Sequence, residues 1–337
     1  MREFIGVLLK DLIRYELCFR GGYQGCLRLR NRNERLAGGP GYQGYVCLWP
    51  FTSKLHAPQI IPCLGRRLLA ISMANSEFQL KSDRPIDGKK QVSVIIGHRG
   101  MDRLPLLLST LASIAGQEEI QLECLVVEQD REPLIKRYLP SWVRHIFLST
   151  RTNSDVYNRS AAFNHGVMHA RGEIILLHDN DMLVPIDYCS GIYRIIKSGY
   201  EAVNTKRFIF YLSQLHTERI LNSFERVSDH APDYIVQNLE AGGSMAITRK
   251  AYIQIGGMDE EFVGWGGEDI DFWRRCSVLN RWIWGYQPII HLWHKSQPLK
   301  NKSDNPNILR IRQLEDLGLD ERIASLREKN FGGAIDA

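Results

Sequence analysis

"VSVIIGHRGMDRLPLLLSTLASIAGQ", Val92 to Gln117, sets the organisation of the chain. "VSVII" is an apolar run that "GHRG" ends, and from Leu104 onward the apolar residues take helical spacing until Gly116 stops them. The stretch reads as strand, turn and helix. Downstream the alternation continues: "LECLVVEQD" (Leu122–Asp130) is a second strand, "HIFLS" a third that precedes a loop, "NRSAAFNHGVMHARG" a helix closed at Gly172, and Ile174–Leu177 another buried strand. Strands alternating with helices specify an α/β fold, with a mostly parallel sheet and helices on its faces. Ligands of such sheets bind beyond the carboxyl ends of the strands, where Arg99, Asp130 and the next motif fall.

That motif is "HDND", His178 to Asp181, delivered into a loop before Pro185. Asp179 and Asp181 are two residues apart and in extended chain project to one side. Converging carboxylates repel each other unless a cation joins them, and a divalent ion with oxygen ligands suits the place. An Asp-rich turn held by its own hydrogen bonds is the plain alternative. Farther on, "QPIIHLWHKSQP" presents His291 and His294 after another apolar run. Neutral imidazole ligates manganese-class metals, and the two rings converge if the strand gives way there to an irregular segment, but diverge if it continues. Of the two, His294 is the stronger candidate.

"FVGWGGEDIDFWRR", Phe262 to Arg275, joins a glycine-rich turn to adjacent carboxylates. Glycines do not hold a regular element, whereas Glu268 and Asp269 suit the first turn of a helix running to about Cys276. A carboxylate set there stays ionised, and a glycine hinge can carry it to a ligand, as a general base on a lid requires. An acidic helix start before a packed helix explains the same residues.

The chain has 337 residues, 44% of them hydrophobic, enough to bury a substantial core in one large domain or two smaller ones. No apolar run approaches the roughly 20 residues of a membrane-spanning helix, and the N-terminus lacks the pattern of a secretory signal, so a cytoplasmic location is expected. The seven cysteines are scattered, odd in number and never spaced C-x-x-C, which argues against both a disulfide framework and a zinc ribbon. Of the net charge of +5, the first 90 residues carry +8 (15 Lys and Arg against 7 Asp and Glu), and the rest carry 28 against 31. Within that basic extension "REFIGVLLKDLIRYELCFR" places Phe4, Val7, Leu8, Leu12, Tyr15 and Phe19 at helical spacing, with Lys10, Arg14 and Arg20 elsewhere. Such a helix either docks on its own domain or lies peripherally on an anionic membrane surface. "RLRNRNER" comes with no recognition module, and no nucleic-acid partner is expected.

Taken in order, "VSVIIGHR", "VVEQD", "YNRSAAFNHG", "IILLHDND", "GGSMAITRKAYIQI", "GGMDEEFVGWGGEDIDFWRR" and "HLWH" resemble the metal-dependent, nucleotide-sugar glycosyltransferases of the GT-A fold, including family 2-like bacterial enzymes. The C-terminal part is similar to the β-1,4-galactosyltransferases and the chondroitin-type N-acetylgalactosaminyltransferases. The resemblance spans roughly Gln91 to Pro306 and rests mainly on Gly256–Arg275. It implies a GT-A catalytic domain over 91–306, between a basic extension over 1–90 that matches no known pattern and a helical tail expected over 307–337. It also implies a UDP-sugar donor, Mn2+ or Mg2+, and a glycan or lipid-linked glycan acceptor. Residue by residue, Arg99 and Asp130 would meet the uridine or its ribose, and Arg159 the nucleotide. Asp181 would bind the metal, with Asp179 beside it at ribose or metal, and His294 and His291 would complete the ligands. Gly243 would approach the donor sugar, Trp265 would cover the sugars, Glu268 would hold a sugar hydroxyl and Asp269 would be the base. Retaining relatives place Asn where this chain has Asp269, which implies inversion. Two departures stand out. Gly97-His98-Arg99 replaces the family's proline-led turn, and Ala241 replaces an aromatic of the galactosyltransferases, which leaves galactose, N-acetylgalactosamine and glucose-type donors open. The implied activity is hexosyl transfer, in a bacterial-type setting of surface-polysaccharide biosynthesis. A non-catalytic nucleotide-sugar-binding protein and a nucleotide-sugar hydrolase are the alternatives.

Overall fold

The structure is a computed structural model and describes residues 5–31, 34–41, 44–48, 53–150, 156–223, 227–238, 241–296 and 305–329. Its central sheet has seven strands in the order Arg281–Trp282, Ala202–Val203, Ser244–Thr248, Ile174–His178, Val92–His98, Leu122–Asp130 and Val143–Ser149. The last four run parallel to one another, and Ser244–Thr248 runs antiparallel to Ile174–His178. Alternate side chains serve opposite faces. Val94, Ile96, Val126 and Leu176 share a core with the helices Leu104–Ala115 and Tyr188–Lys197, whereas Ile95, Val127, Ile175 and Leu177 pack with Arg159–His169 and Glu268–Arg275. Burial on both faces is why these strands read as unbroken apolar runs. The expected α/β architecture, with helices on both faces, is the observed one.

Local chemistry fixes the ends of the helices that carry the site. Gly116 caps Leu104–Ala115 at its C-terminus. The Asn158 side chain accepts the Ala161 N–H at 2.9 Å to start Arg159–His169. Gly267, at φ 93°, turns the chain into Glu268–Arg275, a backbone state that side-chain-bearing residues resist.

A second sheet, which the sequence pattern does not announce, runs Ser53–Lys54, Tyr234–Gln237, Lys206–Tyr211, Gln287–His291, Met182–Leu183. Its first strand comes from the basic extension, and the extension docks against it. Val7, Tyr15 and Phe19 of the first helical segment, with Leu64, Leu68 and Leu69, share a buried core with Phe208, Phe210 and Ile235. Buried Arg207 donates to the carbonyls of Leu27 and Leu29, both at 2.6 Å, which satisfies backbone acceptors that would otherwise be buried unpaired. The helix therefore spends its expected stripe on its own domain, with Leu8 and Leu12 half-buried and Phe4 outside the described residues. A different row, Ile5, Leu9, Ile13 and Leu17, is exposed. No helix among the described residues is long and apolar enough to cross a membrane.

The C-terminal helices Pro306–Glu315 and Leu319–Glu328 pack back onto the domain through buried Leu314, Ile323 and Leu326 and through a set of ion pairs. Arg322 donates to Asp271 Oδ1 at 3.0 Å and also pairs with Asp259; Arg310 reaches Asp259 at 2.7 Å, and Arg275 reaches Asp271 at 2.9 Å. Both aspartates are buried. Removing one partner of a buried pair leaves charge uncompensated. Arg322→Met should therefore cost about 3 kcal/mol, at the low end for a buried pair because Arg275 and Arg310 remain. Denaturant unfolding of wild type and variant measures it, and a loss under about 0.5 kcal/mol, as for a surface substitution, would refute the clamp.

Candidate active site

The parallel strands bring His98, Asp130 and His178 to one edge of the central sheet. Past His178 the chain turns at Asn180, whose Nδ2 donates to His98 Nδ1 at 2.9 Å, before Met182–Leu183 joins the second sheet. The two aspartates consequently part. Asp179 pairs with Arg159, while buried Asp181 faces His291 and His294. The expectation of one shared side assumed extended chain, and the turn removes that condition.

His291 reaches Asp181 through sheet register. It pairs antiparallel with Met182, and the Leu292 N–H donates to the Asp181 carbonyl at 2.8 Å. The strand ends there, so His294 can swing back to the same carboxylate. The separations are 3.7 Å from His291 Nε2 to Asp181 Oδ1 and 3.3 Å from His294 Nε2 to Asp181 Oδ2. Among the described residues these three offer ligand atoms within 4.8 Å of one another. Asp181 Oδ1 is buried and accepts no hydrogen bond, a condition that a cation would relieve. One carboxylate and two imidazoles form a donor set that fits manganese-class metals. Burial alone would raise the Asp181 carboxyl, but His291, His294, Arg103 and Arg159 outweigh it and hold the group below the usual range. Arg103, which the sequence pattern does not single out, donates to Asp181 Oδ2 at 3.3 Å and lies 2.8 Å from His294 Nδ1.

A second cluster faces the first. Arg159, the first residue of its helix, bridges Asp179 and Glu268 Oε1, the latter at 3.1 Å. Glu268 is thus tied down, with Oε2 buried and lacking a hydrogen bond. Burial, then the neighbouring Asp269 charge, pushes Glu268 up to about 7 against the pull of Arg159, and burial raises Asp269 as well. Asp269 is half-buried and accepts its neighbour's N–H, from Ile270, at 2.8 Å. A Cβ on Gly242 would lie 2.3 Å from Asp269 Oδ2, so the glycine leaves room for that carboxylate. Gly243 instead faces the Met182 side chain. Lys206 stands fully buried nearby, pushed down to about 7 by burial against the opposing charges of Asp179 and Asp269, and donates to the Ser244 carbonyl.

Arg99 and Asp130 stand at neighbouring strand ends. Asp130 Oδ2 accepts the Gly100 N–H at 3.2 Å and so shapes the "GHRG" turn, while Arg99 Nη1 is buried without a hydrogen bond. Trp265 is 37% exposed at the crest of the glycine loop. That loop is anchored: Asn307 donates to the carbonyls of Val263 and Trp265 at 3.0 and 3.2 Å, and Asn305 donates to Trp265 at 3.1 Å. The three acidic residues of "EDID" therefore do different work. Glu268 is paired across the site, Asp269 faces Gly242, and Asp271 belongs to the C-terminal clamp.

Residues 224–287 match the family model described as the N-terminal domain of galactosyltransferase. This segment is similar to a galactosyltransferase domain. It holds Gly242, Gly243, the glycine loop and both carboxylates, and it bears out the resemblance to the glycosyltransferases read from the sequence. No curated protein matches the chain. Among solved structures, the catalytic domain of Drosophila β1,4-galactosyltransferase 7 in complex with xylobiose is 16% identical, with TM-score 0.42, covering 68% of this chain and 83% of that one. GalNAc-T7 with UDP, GalNAc and Mn2+ is 12% identical, with TM-score 0.48, covering 68% of this chain and 48% of that one.

A metal held by this triad requires the Asp181 carboxylate and not that of Asp179. Mn2+ titrated into the protein should bind a site that Asp181→Asn weakens by more than the roughly 10–100-fold cost of losing an outer-shell partner, while Asp179→Asn keeps the site. Equal Mn2+ affinity in wild type and Asp181→Asn, by calorimetry, would rule the triad out.

Proposed function

We propose that the chain transfers a hexose or N-acetylhexosamine from a UDP-sugar to a hydroxyl of a glycan or glycolipid acceptor, with inversion, using a divalent metal, in the assembly of a surface polysaccharide. The observation that carries this reading is the pair of facing clusters: a carboxylate–imidazole triad on one side, and on the other a carboxylate at the start of a helix, reached through a glycine loop in the galactosyltransferase-type segment. A bound divalent ion neutralises charge developing on the leaving diphosphate. Asp181, His291 and His294 would hold it. Arg159 keeps Glu268 in place for a donor-sugar hydroxyl, and Asp269, left outside that ion pair, accepts the proton of the acceptor hydroxyl. Trp265, exposed beside these groups, is set to cover the sugar and exclude water. Arg99 and Asp130 are the groups proposed for the uridine and its ribose, Gly243 the residue proposed to approach the donor sugar, and Gly242 leaves the room that Asp269 needs.

Under this reading a chelator abolishes transfer, and Asp269→Asn leaves UDP-sugar binding intact while reducing kcat by at least the 10²–10⁴-fold range of general-base loss. Burial raises the Asp269 carboxyl above its ordinary range, so the base takes up its proton at a higher pH than an exposed aspartate does. The proton-accepting form is lost on the acid side, so kcat/KM should drop there. Wild-type rates in Asp269→Asn, or turnover that ignores acceptor and proceeds as fast hydrolysis, would overturn the assignment of base or of reaction.

A lipid-linked acceptor calls for a membrane contact, and the exposed row Ile5, Leu9, Ile13 and Leu17 with exposed Lys10 and Arg20 supports one on anionic lipid. The protein should sediment with vesicles containing phosphatidylglycerol, and Leu9→Glu with Ile13→Glu should release it. Wild type that stays in the supernatant at low salt would dismiss this contact.

A further inference from the structure

Arg103 lies at the junction of the "GHRGMD" turn and the helix Leu104–Ala115, and its guanidinium occupies two of the three groups that make the metal triad. Nη1 donates to Asp181 Oδ2 at 3.3 Å, and Nη2 meets His294 Nδ1 at 2.8 Å. A guanidinium does not deprotonate in proteins, so this is a fixed positive charge on the carboxylate that a divalent ion would need. Its side chain is 24% exposed, against 4% for Asp181, so it has a way out toward solvent that the carboxylate lacks. Ion and guanidinium are competitors for Asp181.

The contacts of His294 make the competition discrete. Its Nδ1 also lies 2.7 Å from the Lys295 carbonyl. A ring nitrogen that accepts from Arg103 cannot donate to Lys295. Where Nδ1 accepts from Arg103, a neutral ring carries its proton on Nε2, the atom that faces Asp181 Oδ2 at 3.3 Å. With Arg103 withdrawn, Nδ1–H donates to the Lys295 carbonyl and the Nε2 lone pair turns to the triad. A ligand histidine whose second nitrogen donates to a carbonyl is the usual arrangement at metal sites. Withdrawal of one side chain thus frees Asp181 Oδ2 and sets the tautomer of His294 in the same event.

We propose that Arg103 is a two-position residue: it guards Asp181 and His294 until the donor arrives, then turns to the diphosphate of the nucleotide-sugar. This rests on the metal-and-diphosphate reading above. The planar fork of arginine suits phosphate oxygens, and any diphosphate that meets a metal held by Asp181 lies within reach of a side chain now touching that carboxylate.

The two positions give opposite signs in binding, which a merely structural role does not. Titrations follow MnCl2 alone, then UDP at saturating Mn2+, for wild type, Arg103→Met and Arg103→Lys, with thermal unfolding to show that each variant folds. Arg103→Met should bind Mn2+ alone about tenfold more tightly, because the competitor is gone, and UDP in Mn2+ about tenfold or more weakly, because a charge-assisted contact is lost. Arg103→Lys, with its charge but no fork, should lie between wild type and Arg103→Met in both titrations. Both affinities falling together would make Arg103 a prop for the ligands, and both unchanged would make it a bystander; either result overturns the proposal. Wild type that binds neither Mn2+ nor UDP overturns the donor-site reading itself, and Arg103 falls with it.

Discussion

The antiparallel pairing of His291 with Met182 is the constraint on which the site depends. It places residues more than a hundred positions apart in sequence beside one carboxylate, through backbone hydrogen bonds that do not depend on the side chains they position. A strand continuing past His291 would have sent its two histidines to opposite faces. Because the ladder ends there, both reach Asp181, one through register and the other through the irregular segment that follows. Tyr211 stacks on the His291 ring with centroids 4.2 Å apart, so the neighbouring strand fixes the orientation of the imidazole as well as its position.

The same sheet explains why the first 90 residues are more than an appendage. Ser53–Lys54 adds to Tyr234–Gln237, and Phe208, Phe210 and Ile235 are buried against the extension. The strand Lys206–Tyr211 therefore serves two cores. Lys206 lies near Asp179 and Asp269, Arg207 holds the carbonyls of Leu27 and Leu29, and Tyr211 backs a metal-ligand candidate. At the other end, Arg322 links the last helix to Asp259 and Asp271, and Asn305 and Asn307 hold the glycine loop by its carbonyls. Loop glycines at positive φ make the turn possible, but neighbouring side chains give it one conformation.

Electrostatics divides the labour among carboxylates that look alike in sequence. Asp179 and Glu268 share Arg159; Asp181 is held ionised by two histidines and Arg103; Asp271 is locked to Arg275 and Arg322. Asp269 stays outside these pairs, and burial raises it. A carboxylate bound to an arginine is a poor proton acceptor, so the group left outside the ion pairs is the one suited to take a proton.

Much of this was legible in the chain itself. Short, mostly apolar runs alternating with helical spacing determine the parallel sheet, because strands buried on both faces carry few polar residues. Gly116 and Asn158 mark helix ends by local chemistry alone. "HDND" and "HLWH" offer the right ligand types, and the Gly-Trp-Gly-Gly turn before Glu268 predicts a helix start within a residue of the observed one. The partners of those residues were decided by tertiary structure. Whether Asp179 joins Asp181 depends on the turn at Asn180, and whether two histidines converge depends on where a ladder stops. Arg103 carries no periodic or motif signal; it becomes part of the site because a loop path and a helix start bring it to Asp181. Side-chain chemistry and spacing are properties of the sequence, but which charges meet is set by register and turns between distant segments, which no local pattern encodes.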